Sequence, residues 1–217
     1  MKIATLLASA LLSAAATAHA GVIDSTGHPG TIGNFGEPDT ATYGQTFSLA
    51  GNHALNSFSL YLTGEVFAPV HFKAYVYEWN GAHATGAALY TSAAQSFGGA
   101  GPGSAKEFAF NTGSINLVDG KSYVAFLSTT GLFDGVLSTA RMPTAPNDAI
   151  ATGSFVYMNN VNNFDWLTNT RWESRSHDVW FKASYDAGNA ADVPLPATLP
   201  LLGAGLLALG LVRRRKA

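Results

Sequence analysis

Val70-His71-Phe72-Lys73-Ala74-Tyr75-Val76-Tyr77-Glu78-Trp79 decides the fold class. Val70, Phe72, Ala74 and Val76 fall on one face of an extended chain, and His71, Lys73, Tyr75, Tyr77 and Trp79 fall on the other. Trp79-Asn80-Gly81 then supplies turn chemistry. The same period of two continues on both sides. Phe58, Leu60 and Leu62 share a face within Leu55–Leu62. Phe108 with Phe110, then Tyr123, Ala125 and Leu127, then Val179, Phe181, Ala183 and Tyr185 repeat it. Turn-rich stretches such as 97–103 and Val118-Asp119-Gly120 separate these runs. No segment from Gly21 to Tyr185 sustains a helical stripe. Many short strands between glycine-rich turns predict an all-β, two-sheet antiparallel sandwich, jelly-roll-like, with a closed barrel as the weaker alternative. Arg141–Glu173 is less regular and reads as long loops at one end.

The two ends of the chain carry different signals. Met1-Lys2 and the apolar run Ile3–Ala16 precede Ala18-His19-Ala20, a small-x-small cleavage site, so residues 1–20 read as a signal peptide and Gly21 as the first exported residue. The exported body then spans 21–185. Residues 186–192, small and polar, read as a linker. At the other end stand Val193-Pro194-Leu195-Pro196-Ala197, an apolar segment over 198–212, and Arg213-Arg214-Arg215-Lys216 within the basic tail 213–217. The prolines lack amide protons and bias their predecessors toward extended backbone. The motif is therefore expected to be a strip that a protease cleft can grip. Leu199–Val212 is 14 uncharged residues, short of the roughly 20 that cross a bilayer core. The basic cluster should stay cytoplasmic and leave the body outside.

This order of motif, span and arginine cluster resembles the PEP-CTERM sorting signal of Gram-negative bacteria, in its VPLPA variant. Leu195 occupies the position where the commonest form has Glu. The resemblance implies an exosortase as partner, cleavage near the motif, transient passage through the inner membrane, and a cell-surface or extracellular destination. It also implies an association with exopolysaccharide and biofilm. Gly44-Gln45-Thr46-Phe47, the strand Phe72–Trp79, Leu89-Tyr90-Thr91-Ser92 and Tyr123–Ser128 look like the outer β-domains of such sorted proteins, which adds to the fold reading and little to the chemistry.

Composition narrows the chemistry further. Seven of the 12 basic residues and all 14 acidic residues lie between Gly21 and Asp192, giving that region a net charge of −7. An acidic body without a basic, aromatic-interleaved patch is a poor fit to nucleic acid. The chain has no cysteine, which removes disulfides and thiol nucleophiles. His28, His53, His71, His83 and His177 show no metal-ligand spacing. No Gly-x-Ser-x-Gly elbow occurs. Neither a catalytic residue nor a metal site is assigned, and the chain is not expected to be an enzyme. A carboxylate-pair glycoside hydrolase is the alternative. Calcium is the one cofactor considered, through Asp134, Asp148, Asp165 and Asp178, although no Asp-x-Asp-x-Asp loop specifies it. The residues best suited to an extracellular polysaccharide are Tyr157, Asn160, Asn163, Trp166 and Trp172. Flat rings can stack on sugars while amides bond hydroxyls. The competing reading puts the tryptophans in the core and the asparagines in turns.

Overall fold

The computed structural model describes residues 20–187. Fourteen strands and a one-turn helix build two antiparallel sheets. The first sheet orders β1 (Gly21–Asp24), β14 (Phe181–Ala187), β4 (His53–Thr63), β10 (Ser138–Ala145) and β13 (Asp178–Val179). On its flanks β2 (Thr31–Glu37) pairs with β10, and β8 (Ala105–Leu117) pairs with β4. The second sheet orders β12 (Glu173–Arg175), β11 (Phe155–Met158), β3 (Thr42–Ser48), β9 (Ser122–Ser128), β5 (Val70–Trp79) and β6 (Ala84–Thr91). The short β7 (Gln95–Phe97) also pairs with β5.

Alternation explains which face each strand buries. Phe72, Ala74 and Val76 of β5 meet Phe58, Leu60 and Leu62 of β4 and Phe108 and Phe110 of β8 in one core between the sheets. Rings dominate it. Phe72 lies edge-on to Phe108 at 4.9 Å and to Phe35 at 6.1 Å, and Phe47 meets Phe181 at 5.3 Å. Such edge-to-face packing adds to the area each ring removes from water.

One buried polar bridge ties the sheets together. The Gln45 side chain on β3 donates from Nε2 to Asp178 Oδ1 at 2.7 Å and accepts at Oε1 from the Val179 amide at 3.1 Å. The Ile150 amide donates to Asp178 Oδ2 at 2.9 Å. Burial pushes the Asp178 carboxyl above its usual range and Asp148 adds to this, while the bonds from Ile150 and Gln45 oppose it.

Two boundaries differ from those read in the sequence. Arg141–Glu173 is not all loop: β10 runs to Ala145, β11 forms at Phe155–Met158, and β12 begins at Glu173. These pieces are too short for their period to stand out, and they form because existing strand edges offer hydrogen bonds. Likewise β14 continues through Asp186 and Ala187, opposite Ala54 and His53. Asn56 Nδ2 donates to Asp186 Oδ2 at 2.8 Å, so a residue that reads as linker completes the sheet.

Gly21 pairs with Tyr185 at the start of β1. The first predicted exported residue and the end of the last strand therefore lie at one pole. Ala18 lies outside the described residues, whereas Ala20 is exposed and Gly21 opens β1. The linker residues from 188 onward, the motif 193–197, the apolar segment 198–212 and the tail 213–217 also lie outside them. Among the described residues no helix is long and apolar enough to cross a membrane.

Candidate functional site

The aromatic, amide-rich segment 155–172 starts on β11 and then folds over the outer face of the second sheet. Helix α1 (Trp166–Asn169) is a single turn that buries Leu167. Tyr75, Tyr77, Val124 and Phe126 present a second apolar surface on that outer face, and Leu167, Trp172 and the half-buried Phe164 cover it. The ring of Trp172 meets Phe126 at 5.2 Å and Trp79 at 5.4 Å, and its indole N–H donates to the Leu167 carbonyl at 3.0 Å. The outer face of β5 is thus a small second core, which is why that strand is aromatic on both sides. Trp172→Ala should cost about 3 kcal/mol in a denaturant melt, because it opens a cavity under the covering segment.

Three of the five residues proposed for sugar contact are consumed by folding. Trp172 is buried. Asn160 is fully buried; its Oδ1 accepts from Thr42 Oγ1 at 3.0 Å, and its Nδ2 donates to Thr130 Oγ1 at 2.7 Å and the Asn163 carbonyl at 2.9 Å. Tyr157 packs edge-on to Tyr43, with its hydroxyl donating to Glu173 and the Arg175 guanidinium over its ring. Burial, then Glu173, raises the Tyr157 hydroxyl above its ordinary range. Trp166 and Asn163 stay at the surface, Trp166 with 44% of its area exposed. The Asn163 side chain accepts from the Asp165 amide at 3.1 Å, and its own amide donates to the Asn160 carbonyl at 2.8 Å. The run of asparagines therefore forms turns, with Asn160 as the peg that holds them down.

The acids considered for calcium do not gather into a site, although Asp148 lies near enough to Asp178 to raise its carboxyl. Asp178 sits in the core bridge. Asp134 accepts from the Val136 amide in the loop before β10, and Asp165 precedes α1. Among the described residues no group of three His, Asp or Glu side chains is placed to hold a metal ion. His177 stacks on Phe155 at 5.3 Å, and burial, with the nearby Arg175, lowers its imidazole below the usual range.

A shallow groove at the pole of the chain ends had no motif to announce it. Glu78, Trp79, Asn80, Thr85 and Lys121 line it, and Lys121 Nζ pairs with Glu78 Oε1 at 2.6 Å. The strand β5, its hairpin turn and the turn after β8 meet there only in three dimensions.

The remaining predicted functional residues belong to the C-terminal segment, where the PEP-CTERM protein-sorting motif matches residues 192–216. The chain thus carries a PEP-CTERM protein-sorting motif over these residues. The match takes in Val193, Pro194, Leu195, Pro196 and Ala197 together with Arg213, Arg214, Arg215 and Lys216. A PEP-CTERM motif implies an exosortase as processing partner, export through the membrane, and a cell-surface or extracellular location after processing.

No curated protein matches the sequence. Among solved structures, the chain is similar to the cysteine protease and lectin-like domains of Cwp84, a surface layer associated protein of Clostridium difficile, at 12% identity and a TM-score of 0.41. That match covers 69% of this chain and 33% of the other, so the chain spans about a third of the length of that protein. A structure of infectious bursal disease virus Gt strain matches at 14% identity and a TM-score of 0.32, covering 79% of this chain and 42% of that one. Neither match is close enough to assign chemistry.

Proposed function

We propose that this protein is a non-enzymatic β-sandwich that is exported behind a signal peptide, cut by an exosortase near Val193–Ala197, and left at the cell surface or in the extracellular matrix. There it associates with exopolysaccharide and biofilm. The observation that carries the reading is the sorting motif at 192–216, which follows a folded body whose last described strand runs to Ala187. We read the body as jelly-roll-like. Take β1, β3, β4, β5, β6, β8, β9 and β14 as the first to eighth strands. One sheet then runs first, eighth, third, sixth and the other second, seventh, fourth, fifth, which supports two interlocked Greek keys. In this reading no cofactor takes part. The predicted span, shorter than a comfortable anchor, serves as a disposable address. Mass spectrometry of protein recovered from culture medium should find Gly21 at its start and Arg213–Lys216 missing. Intact tails on mature surface molecules would refute processing.

The exposure of Trp166 favours a second reading, in which its free ring face, with Asn163 beside it in sequence, forms a minimal subsite for an extracellular glycan. Trp166→Ala should weaken retention on a polysaccharide affinity gel about tenfold, on the order of the contribution of one well-placed ring. Equal retention of both forms, or of neither, removes this reading and leaves the first.

A further inference from the structure

The margins of the two sheets are not equally protected. Strand edges invite pairing with other chains, and proteins blunt them with short, charged or bulged strands. In this protein β12 is three residues long with Glu173 and Arg175 at its ends, and β1 has four residues. Between Thr85 and Tyr90, β6 leaves the register of β5 and bulges, with Gly86 at φ +74°. The outer margin of β8 is longer and straighter: from Ala105 to Asn111 it carries the charges of Lys106 and Glu107 but no bulge. Those seven residues pair in unbroken register with Thr63 to Ser57 of β4 on one side, and among the described residues no strand pairs with them on the other. The bulge that ends this straight stretch comes after it, at Thr112, Gly113 and Ser114, where the last two have φ of 69° and 73°.

We propose that this margin is an interface between two copies of the chain, joined by antiparallel β8–β8 pairing about a two-fold axis at Phe108. A self-complementary strand closes into a dimer under two-fold symmetry. The register is set by using all seven straight residues: Ala105 then faces Asn111, Lys106 faces Phe110, Glu107 faces Ala109, and Phe108 faces its own copy. No like charges are opposed. Lys106, whose Nζ lies 5.0 Å from the centroid of Phe108, would rest among rings of both copies. Phe108 and Phe110 already point into the core, while Glu107, Ala109 and Asn111 are exposed on the outer face. The joined sheets would thus share one apolar side and one wet side. Delivery of every copy to one membrane by the sorting motif raises the local concentration that such pairing requires.

Sedimentation of the full-length chain in detergent micelles, and of the processed form from the medium, tests the pairing. Wild type should be dimeric in both. Ala109→Glu places a carboxylate opposite Glu107 of the second copy, twice per dimer, and should weaken association about tenfold or more. The double variant Glu107→Lys/Ala109→Glu converts both oppositions into opposite-charge pairs and should restore the dimer, which also shows that the new side chain is compatible with folding. A wild type that stays monomeric at about 100 μM, an affinity too weak to matter, overturns the proposal. So does a dimer indifferent to Ala109→Glu, or one that the charge swap fails to recover. Tail processing is read separately by mass spectrometry, so loss of the dimer and loss of sorting are distinguishable.

Discussion

Replacing Pro194 and Pro196 together with alanine should leave the C-terminal segment uncut, reducing the processed fraction at least tenfold, while the body folds as before. The two prolines sit just ahead of the apolar stretch. Each lacks an amide hydrogen and has a fixed φ, and each biases its predecessor toward extended backbone. Alanine carries neither restriction and favours a helix interior over proline by about 3 kcal/mol. Replacing both therefore removes the bias that holds the recognition block extended. A block without that bias offers a protease cleft a less ordered strip to read. Both substitutions lie beyond Ala187, the end of β14, so the melting temperature of the body should not move. Intact-mass measurement of the membrane and medium fractions reads the outcome. Normal cleavage of the double variant would show that the prolines are not what the enzyme recognises.

Gln45→Ala should destabilise the body by roughly 4 kcal/mol at neutral pH and by less in acid. The magnitude follows from what the side chain satisfies. Its loss removes a donor from the buried Asp178 carboxylate and an acceptor from the Val179 amide, and each such orphan costs about 1–3 kcal/mol, more where a charge is involved. The pH dependence has a definite sign. Asp178 titrates above its ordinary value in the folded protein, so the native state holds its proton more tightly than the unfolded chain does. This site's contribution to stability is therefore complete below the ordinary aspartate range and is lost as pH rises through the raised value. Without the Gln45 bond the carboxylate becomes harder to keep ionised, and the rise grows. Urea melts across the acidic range should show the gap between variant and wild type narrowing as pH falls. A gap that widens in acid, or stays constant, would mean that the Gln45–Asp178 bond does not stabilise the charge.

The legible parts of this protein were those governed by local repetition. Val70–Trp79 reads as a strand and is one, to the residue, because a half-buried strand must alternate. The turn at Val118-Asp119-Gly120 is also where the sequence puts it, with the Lys121 amide donating to the Val118 carbonyl at 3.2 Å. Phe155–Met158 is not legible as a strand because four residues carry too little period, and because both of its faces are buried, one in the main core and one in the second. Composition points to the sugar-contact candidates, and composition cannot separate a ring that faces solvent from one that covers a sheet. Trp166 and Trp172 stand six positions apart in the chain, yet one is exposed and the other seals Phe126 and Trp79.

By itself the sequence determined the all-β character and the sorting motif, since alternation along a strand and a contiguous order of motif, apolar run and arginines are properties of neighbouring residues. Tertiary structure alone decided that Asn160 is a buried peg, that Gln45 and Asp178 join the two sheets, and that β8 keeps one margin unpaired among the described residues. Each of these depends on residues distant in the chain meeting, and the partner that satisfies a polar group, or leaves a strand edge unpaired, is set by how the sheets are stacked.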